Sequence, residues 1–352
     1  MTSTERSSEA VTQPELPSRK ELREALLPFA AKSTGRGLRL VAFDGAAFVI
    51  AILCVAGPTG LLIKIAASLV VWIQIARLFI IGHDACHQSL TANRRLNRAL
   101  GKIAFLPSLT PYKLWEIGHN MAHHGFTNLK GRDYVWAPFS PSEYLDLPAH
   151  RKLLERIYRS GFGHWLYYLI ELWWRKLFFP SREEVGGDRR MFIREGMVVT
   201  AFAFVWMTTL VLGAVLFAHS IALNLLLGFF VPFLLWNELM GFVIYVHHTD
   251  SDVVWHSDSS AWAKAQPHIT STVQIQFPGL IGALLHNIMD HPAHHLDMTI
   301  PLYNLKAAQA RLDELVPGYI VKRRLSWRWY WDCVKLCKTY DFAGQSWRPF
   351  PS

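Results

Sequence analysis

The sequence predicts an all-α, multi-pass membrane protein in which four transmembrane helices form two hairpins. Of its 352 residues, 51% are hydrophobic and only 18% are charged, a composition unlike that of ordinary soluble domains. The apolar residues are concentrated in two pairs of long runs, and each pair is separated by only a few turn residues. The net charge of +9 comes from Lys and Arg that lie almost entirely outside those runs. This combination favours a bilayer protein with a basic cytoplasmic face.

Residues 1–35 are rich in Ser, Glu, Thr and Pro and have no basic start followed by an apolar core. This pattern predicts a flexible cytoplasmic tail rather than a secretory signal. We therefore expect one membrane domain over residues 36–345.

The first pair of apolar runs covers about 40–57 and 59–81, separated by Gly57-Pro58-Thr59-Gly60. The second pair covers about 196–217 and 221–246 and is joined at 218–220. A hydrocarbon core of about 30 Å needs roughly 20 apolar residues in a helix, so the first run is short and the others suffice. Four crossings in two hairpins is the simplest count.

Two further apolar or aromatic segments are expected to lie on the membrane surface. Residues 164–180 are interrupted by Glu171, Arg175 and Lys176, and their aromatic residues suit the headgroup level. Residues 319–352 alternate Trp, Tyr, Arg and Lys, which suits a surface helix.

The basic residues set the orientation. Segment 84–195 holds 17 of the 36 Lys and Arg, whereas the two short turns hold none. The positive-inside rule places this segment and both termini in the cytoplasm. Nucleic-acid binding is disfavoured, because the basic residues flank membrane segments and no recognition module is present.

Half of the 16 histidines fall into three short clusters. They are His83 and His87; His119, His123 and His124; and His291, His294 and His295. Helical residues four apart share a face, so His83 and His87 can bind one metal ion. The same rule predicts that His119 and His123 share a face, with His124 about 100° further round and able to reach a second ion. In the third cluster, Pro292 fits the first turn of a helix.

The predicted topology places all three clusters on the cytoplasmic side, within a helical cap. Eight imidazoles exceed what one ion holds, so we expect a di-metal site. Imidazole ligands suit Zn, Cu, Fe and Ni alike, which leaves the metal open. The four cysteines form no CxxC pair and indicate no thiolate site.

Several residues beside the clusters are candidates for supporting roles. Asp84, Asp290 and Asp297 could orient the imidazoles or could equally cap helices. His286 is either a partner of the site or a polar residue at a helix boundary. Arg77 needs a partner, such as Asp84 or a lipid headgroup, unless it extends to the interface. The aromatic residues that could line a substrate tunnel, or simply pack, are Trp72, Trp115, Trp136, Trp236 and Tyr245.

The clusters and their flanks resemble the membrane fatty acid desaturases, whose three histidine boxes surround a two-hairpin membrane core. The segments that resemble the omega-6 or delta-12 acyl-lipid branch are 115–128 (WEIGHNMAHHGFTN), 131–144 (GRDYVWAPFSPSEY), 290–305 (DHPAHHLDMTIPLYNL) and 337–342 (CKTYDF). The resemblance covers roughly 40–345. It implies two non-haem Fe²⁺ ions, with the eight clustered histidines as ligands and no catalytic residue beyond them.

The same resemblance implies a further histidine ligand near the end of the last span, where His248 lies beside His247. The branch often has His-Thr-His-Pro where this chain has His248-Thr249-Asp250-Ser251, so either histidine can face the metals.

The implied activity is O2-dependent insertion of a double bond into the fatty acyl chain of a membrane lipid. Because the chain has no nucleotide or haem motif, electrons would come from an external ferredoxin or cytochrome type of donor. The boxes are shared with a fatty acid hydroxylase, a carotenoid ketolase or hydroxylase and an alkane hydroxylase, which remain alternatives. A divalent-ion transporter fits less well, because the spans are nearly free of charge.

Overall fold

A computed structural model of the chain describes residues 16–133, 135–181, 189–277 and 280–351. The fold is mostly helical. The helices are α1 (Arg19–Leu26), α2 (Thr34–Ala56), α3 (Leu61–Cys86), α4 (Arg94–Ala104), α5 (Tyr112–Trp115), α6 (Pro141–Asp146), α7 (Ala149–Tyr158), α8 (His164–Tyr167), α9 (Arg189–Leu216), α10 (Ile221–Leu225), α11 (Val231–His248), α12 (Ser259–Lys264), α13 (Pro267–Thr270), α14 (Ile281–Leu284), α15 (His291–Leu296), α16 (Leu302–Leu315) and α17 (Trp327–Leu336). Three π-helical segments continue α5, α8 and α10, at Glu116–His123, Tyr168–Phe178 and Leu226–Phe230, and a 3₁₀ turn follows α1 at Leu27–Ala30.

Among the described residues, four helices are long and apolar enough to cross a membrane: α2, α3, α9 and the continuous helix Ile221–His248. Their mean hydropathies lie between 1.7 and 2.2. This confirms the predicted number of spans, and the protein is an integral membrane protein. α2 begins several residues before the predicted run, because its N-cap Ser33, and not the first apolar residue, sets where the helix starts.

The spans differ in how much of their surface is buried. The apolar window of α3 is 61% buried, against 28% for both α2 and α9. Phe79 of α3 packs on Trp236 of α11 with ring centroids 4.6 Å apart. Phe43 of α2 and Phe204 of α9 are instead exposed, at 69% and 68%. The centre of the bundle is therefore α3 and α11, and the outer helices present apolar surface suited to lipid.

Buried polar contacts connect the spans. Lys64 of α3 donates to the Gly57 carbonyl at 3.1 Å and to Asn224 of α10 at 2.9 Å. Arg77 of α3 pairs with Asp44 of α2, at 2.7 Å from Nε to Oδ1. The partner of Arg77 is thus Asp44 and not Asp84, because a buried carboxylate on the neighbouring helix lies at the same level.

The prediction of an all-α chain is wrong outside the spans. The described part of the chain contains four short strands: β1 (Val273–Gln276), β2 (Val321–Arg324), β3 (Thr339–Asp341) and β4 (Ser346–Arg348). β1 and β2 pair in parallel, and β3 and β4 pair antiparallel. The predicted surface helix over 319–352 is reduced to α17, since Tyr340 and Trp347 of the hairpin are buried in the main core.

The predicted tail, residues 1–35, also contains ordered structure. Residues 1–15 lie outside the described residues, but α1 begins at a capping box formed by Ser18 and Glu21. Leu22 and Leu26 of α1 are buried against α15 and α16. Two apolar residues four apart form a buried helix face, and the polar composition of the stretch as a whole gave no sign of it.

Candidate metal centre

Nine histidines form two adjacent groups beside the ends of α3 and α11. The first group is His83, His87, His119, His124 and His294, and the second is His123, His248, His291 and His295. Within each group, one ring nitrogen per histidine lies within 4.8 Å of every other. All nine are buried except His119, which is partly buried. These are the nine residues that the sequence singled out, and the structure brings them together.

The last turn of α3 supplies the first two histidines. Nε2 of His83 lies 3.1 Å from Nε2 of His87 and 2.8 Å from Nε2 of His119. The four-residue spacing of His83 and His87 on one helix therefore places both rings in the same group, as predicted.

The second cluster departs from the predicted arrangement. His119 groups with His124, their Nε2 atoms 3.1 Å apart, whereas His123 joins the second group. The cause is the π-helical segment Glu116–His123, in which the His124 N–H donates to the His119 carbonyl at 3.0 Å. Because this hydrogen bond joins residues i and i+5, residues five apart lie on the same face of the segment. The expectation that His119 and His123 share a face is therefore wrong.

The third cluster forms the short helix α15, with Pro292 in its first turn as predicted. His291 and His295, four residues apart, both join the second group, and His294 faces the first. Nε2 of His294 lies 3.1 Å from Nε2 of His124.

The two histidines at the end of α11 are placed differently. Nε2 of His248 lies 3.2 Å from Nε2 of His291, which places it within the second group. His247 stacks on His291, with ring centroids 3.7 Å apart, and stands outside both groups.

The protonation of the centre suits metal binding. Burial, and then the neighbouring imidazoles, hold the pKa values of His119, His124, His291, His294 and His295 well below the usual range. The rings are therefore neutral near pH 7. Their nitrogens point at one another in groups of five and four, with no carboxylate among them. Neutral imidazoles arranged in this way can hold metal ions.

Three polar side chains hold the outer nitrogens of the second group. Asp133 Oδ1 lies 2.8 Å from His123 Nδ1, Asn128 Oδ1 lies 3.0 Å from His248 Nδ1, and Thr127 Oγ1 lies 3.1 Å from His295 Nδ1. Such contacts fix the orientation and tautomer of a metal-binding imidazole. None of the three was predicted from the sequence, although they follow the second cluster within ten residues.

The carboxylates considered from sequence have other partners. Asp84 Oδ1 is 3.7 Å from His83 Nδ1, but its Oδ2 accepts from the Leu302 N–H at 2.6 Å. Asp290 accepts from Gln274 at 3.1 Å, and burial raises its pKa to about 6. Asp297 pairs with Arg23 and accepts from Thr299. Of these three carboxylates, only Asp84 has an oxygen near a grouped imidazole, and His286 contacts Asp44.

An apolar cavity extends from the histidines between α3 and α11. The space inside it amounts to about 810 Å³, part of which is open to solvent. Its lining is Ala76, Phe79, Ile80, His83, Trp115, His119, His123, Val135, Leu172, Trp236, Leu239, Met240, Val243, Ile244, His247, His248, Leu285, Ile288 and His291. Of the aromatic residues considered as tunnel candidates, Trp115 and Trp236 line this cavity, and Trp72, Trp136 and Tyr245 do not. Histidines of both groups therefore line one apolar cavity.

A short hydrogen-bonded connection leads from the surface to the second group. The indole N–H of the partly exposed Trp262 donates to the Thr127 carbonyl at 2.8 Å. The Thr127 hydroxyl in turn contacts His295. Basic residues lie around Trp262: Arg19 lines a groove beside it, and Lys264 is exposed on the same helix.

Comparison with known proteins agrees with this geometry. The family model described as fatty acid desaturase matches residues 58–327. A protein named sn-1 oleoyl-lipid 12-desaturase from Picosynechococcus sp. is 31% identical over 277 residues, which cover 75% of this chain and 73% of the relative.

Two chloroplastic omega-6 fatty acid desaturases are similar to the same extent. The protein from Spinacia oleracea is 30% identical over 271 residues, and that from Glycine max is 31% identical over 278. These matches cover 77% and 76% of this chain but only 58% and 60% of the plant proteins. The family match spans most of the chain, including all nine grouped histidines, and we conclude that the chain belongs to the fatty acid desaturase family.

Proposed function

We propose that the protein is an O2-dependent di-iron desaturase that introduces a double bond into a fatty acyl chain of a membrane lipid. The observation that carries this proposal is the meeting of two buried histidine groups with one apolar cavity inside a set of membrane-spanning helices. The fatty acid desaturase domain covers residues 36–345 in this proposal.

Two Fe²⁺ ions fit the donor set. His83, His87, His119, His124 and His294 would hold one ion, and His123, His248, His291 and His295 the other. Nine imidazole nitrogens exceed the coordination of a single ion and match metals that accept nitrogen ligands. When bound, the ions would supply the activation of O2, and Asp133, Asn128 and Thr127 orient the imidazoles.

The protein contributes binding, orientation and exclusion of water. The apolar walls of the cavity replace the lipid environment of an acyl chain, so the chain can leave the bilayer at little cost. Trp115, which lines the cavity, stacks on His119 with ring centroids 4.8 Å apart. Removing one hydrogen from each of two neighbouring carbons then requires only that they lie against the histidine groups.

The overall reaction sets the need for a partner. Conversion of –CH2–CH2– and O2 into –CH=CH– and two water molecules consumes two electrons and two protons. The substrate supplies half of the four electrons that O2 takes up, so an external ferredoxin or cytochrome type of donor supplies the other two. The basic surface around Trp262 suits an acidic donor, and the contact from Trp262 through Thr127 to His295 links that surface to the second group.

The proposed topology has two helical hairpins and a cytoplasmic cap that carries the histidines, with both termini on the same side. The packing of α2 on α3 and of α9 on α10, each across a turn of a few residues, supports the hairpins. The positive-inside rule supports the sidedness. A cysteine placed at the exposed Ser142 should react with a membrane-impermeant thiol reagent only from the cytoplasmic side.

The activity is tested by fatty acid analysis of a host that makes oleoyl lipids and a ferredoxin. The names of the relatives, which include an oleoyl-lipid 12-desaturase, make this the first substrate to try. The wild-type chain should yield a new double bond that His294→Ala does not. His150→Ala is the matched control, because His150 is exposed and outside both groups.

A hydroxylated acyl chain in place of the double bond would favour the related di-iron oxygenases. No new product beside a working desaturase from the same host would contradict the proposed activity on acyl lipids.

A further inference from the structure

Three polar side chains from separate segments meet beside the apolar cavity. Asp44 of α2 is fully buried, and its carboxylate accepts from Arg77 of α3 at 2.7 Å from Nε and 3.2 Å from Nη2. Nε2 of His286 lies 3.2 Å from Asp44 Oδ2. A carboxylate only accepts hydrogen bonds, so this nitrogen carries the proton. Arg77 also donates through Nη1 to the Leu284 carbonyl at 2.7 Å. We call these three residues the Asp44 cluster; it ties the segment before α15 to two membrane helices.

The cluster lies well inside the spans. Asp44 is ten residues from the start of α2, and Arg77 is nine from the end of α3, so both are roughly 15 Å along their helices. Charges at such a depth are costly unless they are paired. The segment that reaches them must enter the same layer, and its outer residues suit lipid. Leu280 is 85% exposed, and Ile281 and Leu284 are also exposed.

The opposite side of this segment forms a wall of the cavity. Leu285 and Ile288 line the cavity from the segment, and Ala76 and Ile80 line it from either side of Arg77 on α3. Between Leu285 and Ile288, the backbone of His286 and Asn287 adopts consecutive left-handed conformations, with φ of 51° and 57°. Such strain persists only where the surroundings hold it in place.

The methylene groups of an acyl chain are chemically alike. In an apolar cavity, only the positions of the walls decide which carbon pair lies against the histidines. This wall is held at one end by a buried ion pair and at the other by α15, so it cannot slide relative to α3 or to His291. An acyl chain in the cavity therefore has one position relative to the histidines. Loss of the ion pair leaves the histidine ligands in place but lets the acyl chain take more than one position relative to them.

We propose that Asp44, Arg77 and His286 are positioning residues that lock the wall 281–288 and thereby set the position of the double bond. This inference rests on the proposed function. None of the three lines the cavity or belongs to a histidine group. Their effect is therefore on where the chain is oxidised rather than on whether it is.

The test combines product analysis with amide hydrogen exchange of purified protein. Arg77→Gln removes the charged hydrogen bonds to Asp44 and to the Leu284 carbonyl. His286→Asn keeps a residue that tolerates the left-handed backbone and removes the imidazole, so it is the second variant if Arg77→Gln does not fold. Both should add a second double-bond position to the product. Exchange of the amides in 285–290 should rise about tenfold or more, the factor for loss of one hydrogen bond to a charged group.

Lys64→Met is the matched control. Lys64 is another buried cation within the spans, but it contacts Asn224 and the Gly57 carbonyl and does not line the cavity. Its loss should lower stability without moving the double bond or the exchange of 285–290. An unchanged product position in active Arg77→Gln and His286→Asn would overturn the inference and leave the desaturase assignment standing. Unchanged exchange in these variants would also overturn it, even in a preparation without activity. A wild-type chain that forms no double bond would instead refute the proposed function.

Discussion

Replacing Asp133 by Asn tests whether the orientation of His123 matters for metal binding. The carboxylate is buried and accepts three hydrogen bonds. Oδ1 accepts from His123 Nδ1 at 2.8 Å and from the Val135 N–H at 3.0 Å, and Oδ2 accepts from the Asn128 N–H at 2.7 Å. An amide has one acceptor oxygen, so in either orientation its NH2 group faces at least one of these donors.

The size of the effect follows from that mismatch. Loss of a hydrogen bond to a charged group costs about 1.5–3 kcal/mol, and an unpaired buried donor costs about 1–3 kcal/mol. Because His123 belongs to the second histidine group, the loss should appear at that group alone. We expect Fe²⁺ affinity to fall by about 10–100-fold, as is typical for residues that orient metal ligands.

The assay is a titration of metal-free protein with Fe²⁺ against a chromophoric chelator. The wild type should bind two ions, and Asp133→Asn should bind one as before and the second more weakly. Asp146→Asn, at an exposed position, is the control and should match the wild type. If Asp133→Asn bound both ions as tightly as the wild type does, the assignment of His123 as an oriented ligand would be refuted.

Three further predictions concern packing, pH and the electron donor. Gly241→Ala should destabilise the protein by about 1–3 kcal/mol or more, because the added Cβ would lie 2.2 Å from a backbone oxygen of α8. Gly45→Ala should not destabilise it, because the space around Gly45 is open. Thermal unfolding in detergent compares the two variants. The metal-free protein should be most stable above about pH 6.5, the pKa of histidine in the unfolded chain, and should lose stability below it. The reason is that burial lowers the pKa of His124 and His294 in the folded protein, so below pH 6.5 the unfolded chain binds more protons. Constant unfolding temperatures from pH 7.5 to 5 would contradict this. Lys264→Glu, beside Trp262, should weaken binding of an acidic ferredoxin and make that binding less dependent on salt. Arg311→Glu, at another exposed basic position, should change neither. If surface plasmon resonance gave the same ferredoxin affinity for Lys264→Glu and the wild type, docking beside Trp262 would be refuted.

The number of spans and eight of the nine grouped histidines could be predicted from sequence because their signals are local, whereas His248 was expected only from the family resemblance, with His247 as the alternative. Apolar runs report helices that face lipid, and four-residue spacing on α3 reports one face. Partners that depend on tertiary contacts have no such signal: Asp44 and His286 are 242 residues apart, and nothing near either residue indicates the other. Likewise, β1 and β2 lie more than 40 residues apart, so neither strand has a nearby hairpin turn to reveal it.

The π-helical turn also bears on how the second histidine cluster arose. In both the second and third clusters, the first and last histidines share a group, and the one before last joins the other group. The third cluster achieves this over four residues with an α-helical turn, and the second achieves it over five. An inserted residue in a helix normally rotates everything after it by about 100°. Here the wider turn absorbs it, so a chain could pass between the two spacings by a single codon insertion or deletion without losing its ligand arrangement. The number of residues between the histidines therefore does not by itself decide which of them share a group.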